Sequence, residues 1–202
     1  VNLEFEASVA GGIPIIRSIK EGLISNKISK LVGILNGTSN YILTKMERSG
    51  KKFSEVLKEA QISGYAETNP KNDLNGNDVS SKIKILSSLC FKSLISSNKI
   101  LINGIENIEV KDINIAKKLG YRIKLLGITE IINNCIFERV HPSLVHKNSY
   151  IGNINGVFNA IIIKGKPVGQ SVMQGEGAGA GPTTSSLVSD LCSILRDNLK
   201  NP

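Results

Sequence analysis

The sequence has no tryptophan, and aromatic residues make up only 4% of its 202 positions. Stacking platforms for bases are scarce, which argues against a nucleic-acid binder even though the formal net charge is +8. The basic residues are scattered along the chain, so the charge reads as a surface that attracts anionic substrates or cofactors. Cysteine is sparse as well. Cys90, Cys135 and Cys192 are odd in number, far apart and without a Cys-x-x-Cys spacing, which excludes a zinc ribbon and a disulfide framework. Each reads as a small buried hydrophobe in a reducing, cytoplasmic compartment. The only histidines, His141 and His146, lie on either side of Pro142 and do not suit a helical metal pair. No apolar run reaches the ~18 residues of a membrane span, so no membrane partner is expected. The start, Val-Asn-Leu-Glu-Phe-Glu, lacks the basic and apolar regions of a signal peptide. It also lacks an initiator methionine, so a fragment or a processed product is expected.

What is present is ordinary for a soluble globular protein: 41% hydrophobic and 21% charged residues, and enough length for one sizeable core or two small ones. The stretch over residues 64–82 is the exception. It carries Glu67, Asp73 and Asp78, then Lys82, in a segment too polar and turn-rich to build a core. After Gly76 the pattern changes, and Val79, Ile83, Leu86 and Cys90 repeat at helical spacing up to about Phe91. Asp78 and Lys82 are then one turn apart on one side of a helix. A loop that offers carboxylates beside a helix that offers an ammonium suits a small zwitterionic substrate, with Lys82 handling a proton. Two plainer readings compete. Asp78 also suits a helix cap, and Asp78 with Lys82 also suits a surface pair worth ~0.3–0.5 kcal/mol.

Taken in order, residues 3–9 alternate as a strand with Leu3, Phe5 and Ala7 on one face. Ala10-Gly11-Gly12 then turns into a helix that begins at Pro14. Glu6 beside that turn suits either a cation held by oxygens or a plain surface position. Residues 28–35 read as a strand. Asn36-Gly37-Thr38-Ser39-Asn40 leads into a helix that Thr38 and Ser39 can cap. Another helix covers residues 54–62 and stops at Gly64. Residues 92–106 are mixed, and residues 111–119 are helical. Residues 121–132 and 135–140 form a hairpin about Asn133-Asn134. Strands at 157–164 and 167–173 flank a turn at Gly165-Lys166. Gly175-Glu-Gly-Ala-Gly-Ala-Gly181 precedes the last helix as an anion cradle or a close-packing turn. Too few residues remain after it for a βαβ unit.

Five motifs in order resemble the catalytic, substrate-binding domain of homoserine dehydrogenase over nearly the whole chain. They are Phe5-Glu-Ala-Ser-Val-Ala-Gly-Gly-Ile-Pro14, Gly33-Ile-Leu-Asn-Gly-Thr-Ser-Asn-Tyr-Ile42, residues 64–82, Asn155-Gly-Val-Phe-Asn159, and Gly177-Ala-Gly179 with Pro182-Thr183. The resemblance implies an α+β fold, with a mixed, largely antiparallel sheet and helices on one face. It implies interconversion of L-homoserine and L-aspartate 4-semialdehyde with NAD(P), in threonine, methionine and isoleucine biosynthesis. Lys82 would be the acid/base. Thr38, Tyr65, Glu67, Asp73 and Asp78 would line the substrate site with it. Gly179 would contact the cofactor. Glu6 and the backbone oxygens of Val9, Gly11 and Ile13 would hold a monovalent cation, Na⁺. The chain would be one catalytic domain over residues 1–202 that forms a homodimer. The family's nucleotide-binding domain would lie upstream, and an ACT domain is expected downstream in some relatives. Asn69 departs from the pattern, because the family usually has Asp before that Pro. The competing classes are a non-catalytic anion- or ligand-binding module and a dimerisation piece. Asp78 and Lys82 together favour the enzyme.

Overall fold

The computed structural model describes residues 3–92 and 100–200. Part of the segment read as mixed, residues 93–99, lies outside the described residues. One six-stranded sheet organises the chain, in the order β2-β4-β3-β1-β5-β6. The strands are β1 (Lys27–Ile34), β2 (Leu101–Ile102), β3 (Tyr121–Ile132), β4 (Cys135–His146), β5 (Phe158–Lys166) and β6 (Gly169–Glu176). Only β2 with β4 is parallel, so the sheet is mixed and largely antiparallel. The helices are α1 (Ile15–Arg17, continued by a π turn at Ser18–Gly22), α2 (Gly37–Ser49), α3 (Phe53–Ile62), α4 (Lys71–Leu74), α5 (Asn77–Phe91), α6 (Val110–Lys118) and α7 (Ala180–Lys200).

The alternation of the strands divides the apolar residues between two faces. Leu31, Leu125, Ile161 and Ile163 point toward α2 and α5 and join the main core with Ile42, Met46, Val79, Ile83 and Leu86. Gly127 lets α5 come close to the sheet, since a Cβ there would stand 2.9 Å from a Val79 methyl. The opposite face carries Ile34, Leu126, Ile128 and Ala160 under Ile151 and Ile154. Beyond that cover it is open: Phe158 and Val172 are each 40% exposed.

Several local expectations shift. Residues 3–9 form no strand but a 3-10 turn at Glu6–Ser8. Glu6 is buried there: its amide donates to Asp190 Oδ2, 2.9 Å away, so the alternation finds no strand partner. Asn36, rather than Thr38 or Ser39, caps α2, its Oδ1 accepting from the Ser39 amide at 2.8 Å. The turn after β5 falls at Pro167-Val168, two residues later than Gly165-Lys166, because β5 stays paired with β1 through Lys166. The hairpin arms reach His146, with Asn133 and Asn134 both left-handed (φ 50° and 62°), as a two-residue turn requires. Cys90 is half-buried, and burial pushes its thiol up to about 12. Cys135 and Cys192 are exposed, contrary to the buried reading, because one lies at the hairpin turn and the other on the outer side of α7.

The Leu74 carbonyl accepts from the Ile105 amide at 2.8 Å, which ties α4 to the chain after β2. A Cβ at Gly104 would run into that carbonyl and the Asn75 backbone. Gly104→Ala is expected to cost ~1–3 kcal/mol by overpacking. Thermal or urea unfolding reads it, and an unchanged midpoint would contradict this packing.

Candidate active site

The end of β1 starts the site. Leu35 and Asn36 leave the sheet between α2 and α5, and Asn36 is buried at 5% exposure. Its Nδ2 donates to Asp73 Oδ1 at 2.7 Å and to Asp78 Oδ2 at 2.9 Å. One carboxamide therefore uses its oxygen to cap α2 and both N–H bonds to join two carboxylates. Asp73 comes from α4 and Asp78 from the first turn of α5. Gly76, left-handed at φ 87°, makes the tight turn between them.

Lys82 follows Asp78 by one helical turn. Its Nζ lies 2.8 Å from Asp78 Oδ2 and 3.0 Å from the Leu35 carbonyl oxygen. An ammonium has three N–H bonds, so the third is left for the cleft. Thr38 Oγ1 donates to the Tyr65 carbonyl at 2.8 Å. Tyr65 packs on Tyr41 with ring centroids 4.7 Å apart. Thr38, Tyr65, Glu67, Asp73, Asp78 and Lys82 all line one cleft of about 480 Å³. That volume suits a small ligand. Its far wall is Val157, Asn159 and the loop Gly177, Ala178, Gly179. A larger depression of about 680 Å³ lies between the starts of α3 and α6. It faces Lys52, Glu106, Glu109 and Lys111, and none of the residues singled out from sequence reaches it.

The glycine loop is held by the first turn of the chain. The Gly11 amide donates to the Gly177 carbonyl at 2.9 Å, and the Gly12 amide to that of Glu176 at 2.8 Å. A Cβ at Gly12 would collide with the Glu176 carbonyl, so this approach needs glycine. Gly179, at φ 118°, adopts a backbone that other residues rarely reach.

Glu6, Val9, Gly11 and Ile13 do not join the cleft but sit behind this loop. Both Glu6 oxygens accept backbone amides at 2.8 Å, from Ile16 and Arg17. The Gly11 carbonyl accepts from Ser186 Oγ. The Ile13 carbonyl accepts from Ile15 at 2.7 Å. Burial raises Glu6 above the usual carboxylate range. The Arg17 and Ile16 amides and the Arg17 charge oppose that rise, and Asp190 adds to it. Asp190 Oδ1 is buried without a hydrogen bond, 3.8 Å from the Arg17 guanidinium.

Sequence reasoning passed over Asn36, Val157 and Asn159 as site residues, although Asn36-Gly37-Thr38 and Asn155 to Asn159 were recognised as motifs. Asn159 is 1% exposed, and its Oδ1 has no hydrogen-bond partner. In the sequence only the motif at 155–159 points to it, because its burial depends on the distant Gly177.

The homoserine dehydrogenase family model matches residues 14–192. A homoserine dehydrogenase of Neisseria gonorrhoeae is 46% identical over 196 residues, 97% of this chain and 45% of its own. The crystal structure of a homoserine dehydrogenase from Thiobacillus denitrificans matches with TM-score 0.95 and 45% identity, over 98% of this chain and 46% of that one. A hyperthermophilic archaeal homoserine dehydrogenase mutant in complex with NADPH matches with TM-score 0.79 and 26% identity, over 98% of this chain and 56% of that one. The chain thus spans under half the length of the bacterial relatives it matches.

Asn36 is the local test of this arrangement. Asn36→Ala removes the α2 cap, worth roughly 1 kcal/mol, and leaves Asp73 and Asp78 without their shared donor. Asn36→Asp sets a third carboxylate against those two and is expected to destabilise more. Melting curves of the two variants give the order, and an Asp variant as stable as the parent would contradict it.

Proposed function

The chain belongs to the homoserine dehydrogenase family, and we propose that it carries the substrate half of an enzyme interconverting L-homoserine and L-aspartate 4-semialdehyde with NAD(P). The observation that carries this reading is the meeting of Glu67, Asp73, Asp78 and Lys82 in one cleft, with Lys82 oriented by Asp78 and the Leu35 carbonyl. Carboxylates on the 67–78 segment suit the substrate's α-ammonium. The amide end of α2 beside Thr38 suits its α-carboxylate. Tyr65 forms the side of the pocket. The nicotinamide supplies the hydride acceptor. In oxidation Lys82, as the neutral amine, would take up the hydroxyl proton and become the ammonium. In reduction its ammonium donates to the carbonyl oxygen and offsets the charge that develops there. Gly179 and its neighbours let the backbone come close to the cofactor.

The site behind the loop fits a monovalent cation such as Na⁺. Glu6 and Asp190 are two buried carboxylates, Asp190 lies 3.8 Å from the Arg17 guanidinium, and each Glu6 oxygen keeps a lone pair beyond its amide bond. Glu6 with the carbonyls of Val9, Gly11 and Ile13 would hold the ion and stiffen the turn that carries the glycine loop.

The whole of residues 1–202 is read as one catalytic domain. Leu187, Leu191 and Leu195 leave an apolar stripe on α7, each more than half exposed, which suits the seat of a nucleotide-binding domain. The open face of the sheet, with Phe158 and Val172, suits a homodimer contact. No helix among the described residues is long and apolar enough to cross a membrane. The free cysteines fit a reducing cytoplasm. In that setting the enzyme would serve threonine, methionine and isoleucine biosynthesis.

The reading is tested in the full-length enzyme that contains this domain. Lys82→Ala is expected to lower kcat for homoserine oxidation by roughly 10²–10⁴-fold with little change in melting temperature. Near-normal turnover would remove Lys82 from the mechanism. Sodium at constant ionic strength is expected to raise the melting temperature, and Glu6→Gln to abolish that rise. The ion prefers ionised Glu6. The effect is therefore full above the raised pKa of Glu6 and fades as pH falls through it. A sodium response that survives in Glu6→Gln would exclude this carboxylate as a ligand.

A further inference from the structure

We propose that Lys124 is a positioning residue for the substrate cleft: its buried ammonium ties the start of α2 to the loop entering β5, and so sets the spacing between Thr38 and Val157. The inference rests on the substrate reading above and adds a residue that never touches the substrate. Lys124 is among the largest fully buried side chains, at 1% exposure. Its Nζ donates to Asn40 Oδ1 at 2.9 Å, to the Ile154 carbonyl, and to Asn155 Oδ1 at 3.5 Å. All three ammonium hydrogens are thereby used.

Asn40 extends the tie. It too is 1% exposed, and its Nδ2 donates to the Ile154 carbonyl at 3.4 Å and to that of Phe158 at 3.1 Å. Asn40 sits two residues after Thr38 on α2. Residues 154–158 lead into Val157 and Asn159 on the opposite wall of the cleft. Gly37 nests against the Val157 carbonyl, where a Cβ would stand 2.8 Å from the oxygen. The two walls thus meet through one lysine, one asparagine and one close backbone approach.

The topology explains why a lysine is placed there. The β1 pairing with β3 ends at Gly33 with Gly127, so the first residues of β3 have α2 beside them in place of a strand. A helix cannot continue the ladder, and side chains make the junction instead. Arg122, two residues before Lys124 and so on the same face, holds Glu47 of α2 at 3.1 Å and the Gly152 carbonyl at 2.8 Å. A buried lysine is costly, and an apolar side chain of similar length would fill the space without desolvating a charge. Anchoring two segments that offer only carbonyl and amide oxygens is the job a methionine cannot do.

The charged groups around Lys124 are Glu47 and Arg48 on α2 and Arg122 on β3, while the loop presents neutral oxygens. Burial pushes Lys124 down to about 8, Glu47 opposes this, and Arg122 and Arg48 add to it. The three acceptors favour the ammonium, so the tie is in place at neutral pH.

The test uses Lys124→Met and Asn40→Asp in the full-length enzyme. The second variant keeps Lys124 paired and removes the two donors to the loop. Both are expected to raise KM for homoserine by about tenfold, equivalent to ~1.4 kcal/mol, with KM for NAD(P) unchanged. Amide hydrogen exchange over residues 155–159 should speed up by about the same factor, while β1 stays protected. Unchanged exchange at 155–159 in both variants overturns the proposal. So does faster exchange with an unaltered homoserine KM, which would make Lys124 a stability element only. If the parent enzyme fails to oxidise homoserine, the substrate reading falls, and hydrogen exchange alone decides whether Lys124 ties the two walls.

Discussion

The carboxamide of Asn36 is the contact on which the site depends. At the end of β1, it caps a helix start and reaches Asp73 and Asp78 of the 64–82 segment. Two carboxylates close together repel. A shared amide donor bridges Asp73 and Asp78, and Lys82 pairs with Asp78 from the other side. The same amide satisfies an orphan N–H of α2. Fold and chemistry are therefore joined at one position: whatever displaces β1 or α2 displaces the carboxylates.

Much of the architecture was legible because it depends on local pattern. Val79, Ile83 and Leu86 fall on one helical face, and the structure buries that face fully. Asn133 and Asn134 tolerate positive φ, so the hairpin turn could be read directly. The acidic residues and Lys82 were legible for a related reason, since they lie within one short segment that runs through α4 into the first turns of α5.

What sequence could not reveal is decided at long range. The alternation of Leu3, Glu4, Phe5 and Glu6 reads as a strand. The backbone amide of Glu6 instead meets Asp190, 184 positions away. Lys124 stands in the regular alternation of β3, where a lysine between Ile123 and Leu125 reads as a solvent-facing residue. Only the loop at Ile154 and the end of the β1 ladder make its position an interior one. Asn159 is likewise an ordinary strand residue until Gly177 closes over it, so tightly that a Cβ on that glycine would overlap the amide.

The pairing of the Gly11–Gly12 turn with residues 176 and 177 bears on how the molecule is made. Ser186 bonds to Gly11 across 175 positions, so these contacts join the two extremes of the described chain. Contacts of such sequence separation form slowly, because loop closure must come before any gain from the contact. During synthesis the first turn emerges long before its partner, and it waits unpaired until α7 has left the ribosome. The acidic loop and Lys82 can be in place earlier, through neighbours close in sequence. The half of the cleft built by α2, α4 and α5 is thus able to assemble ahead of the half built by the glycine loop. A chain released early would carry an ordered acidic pocket beside an unfinished wall.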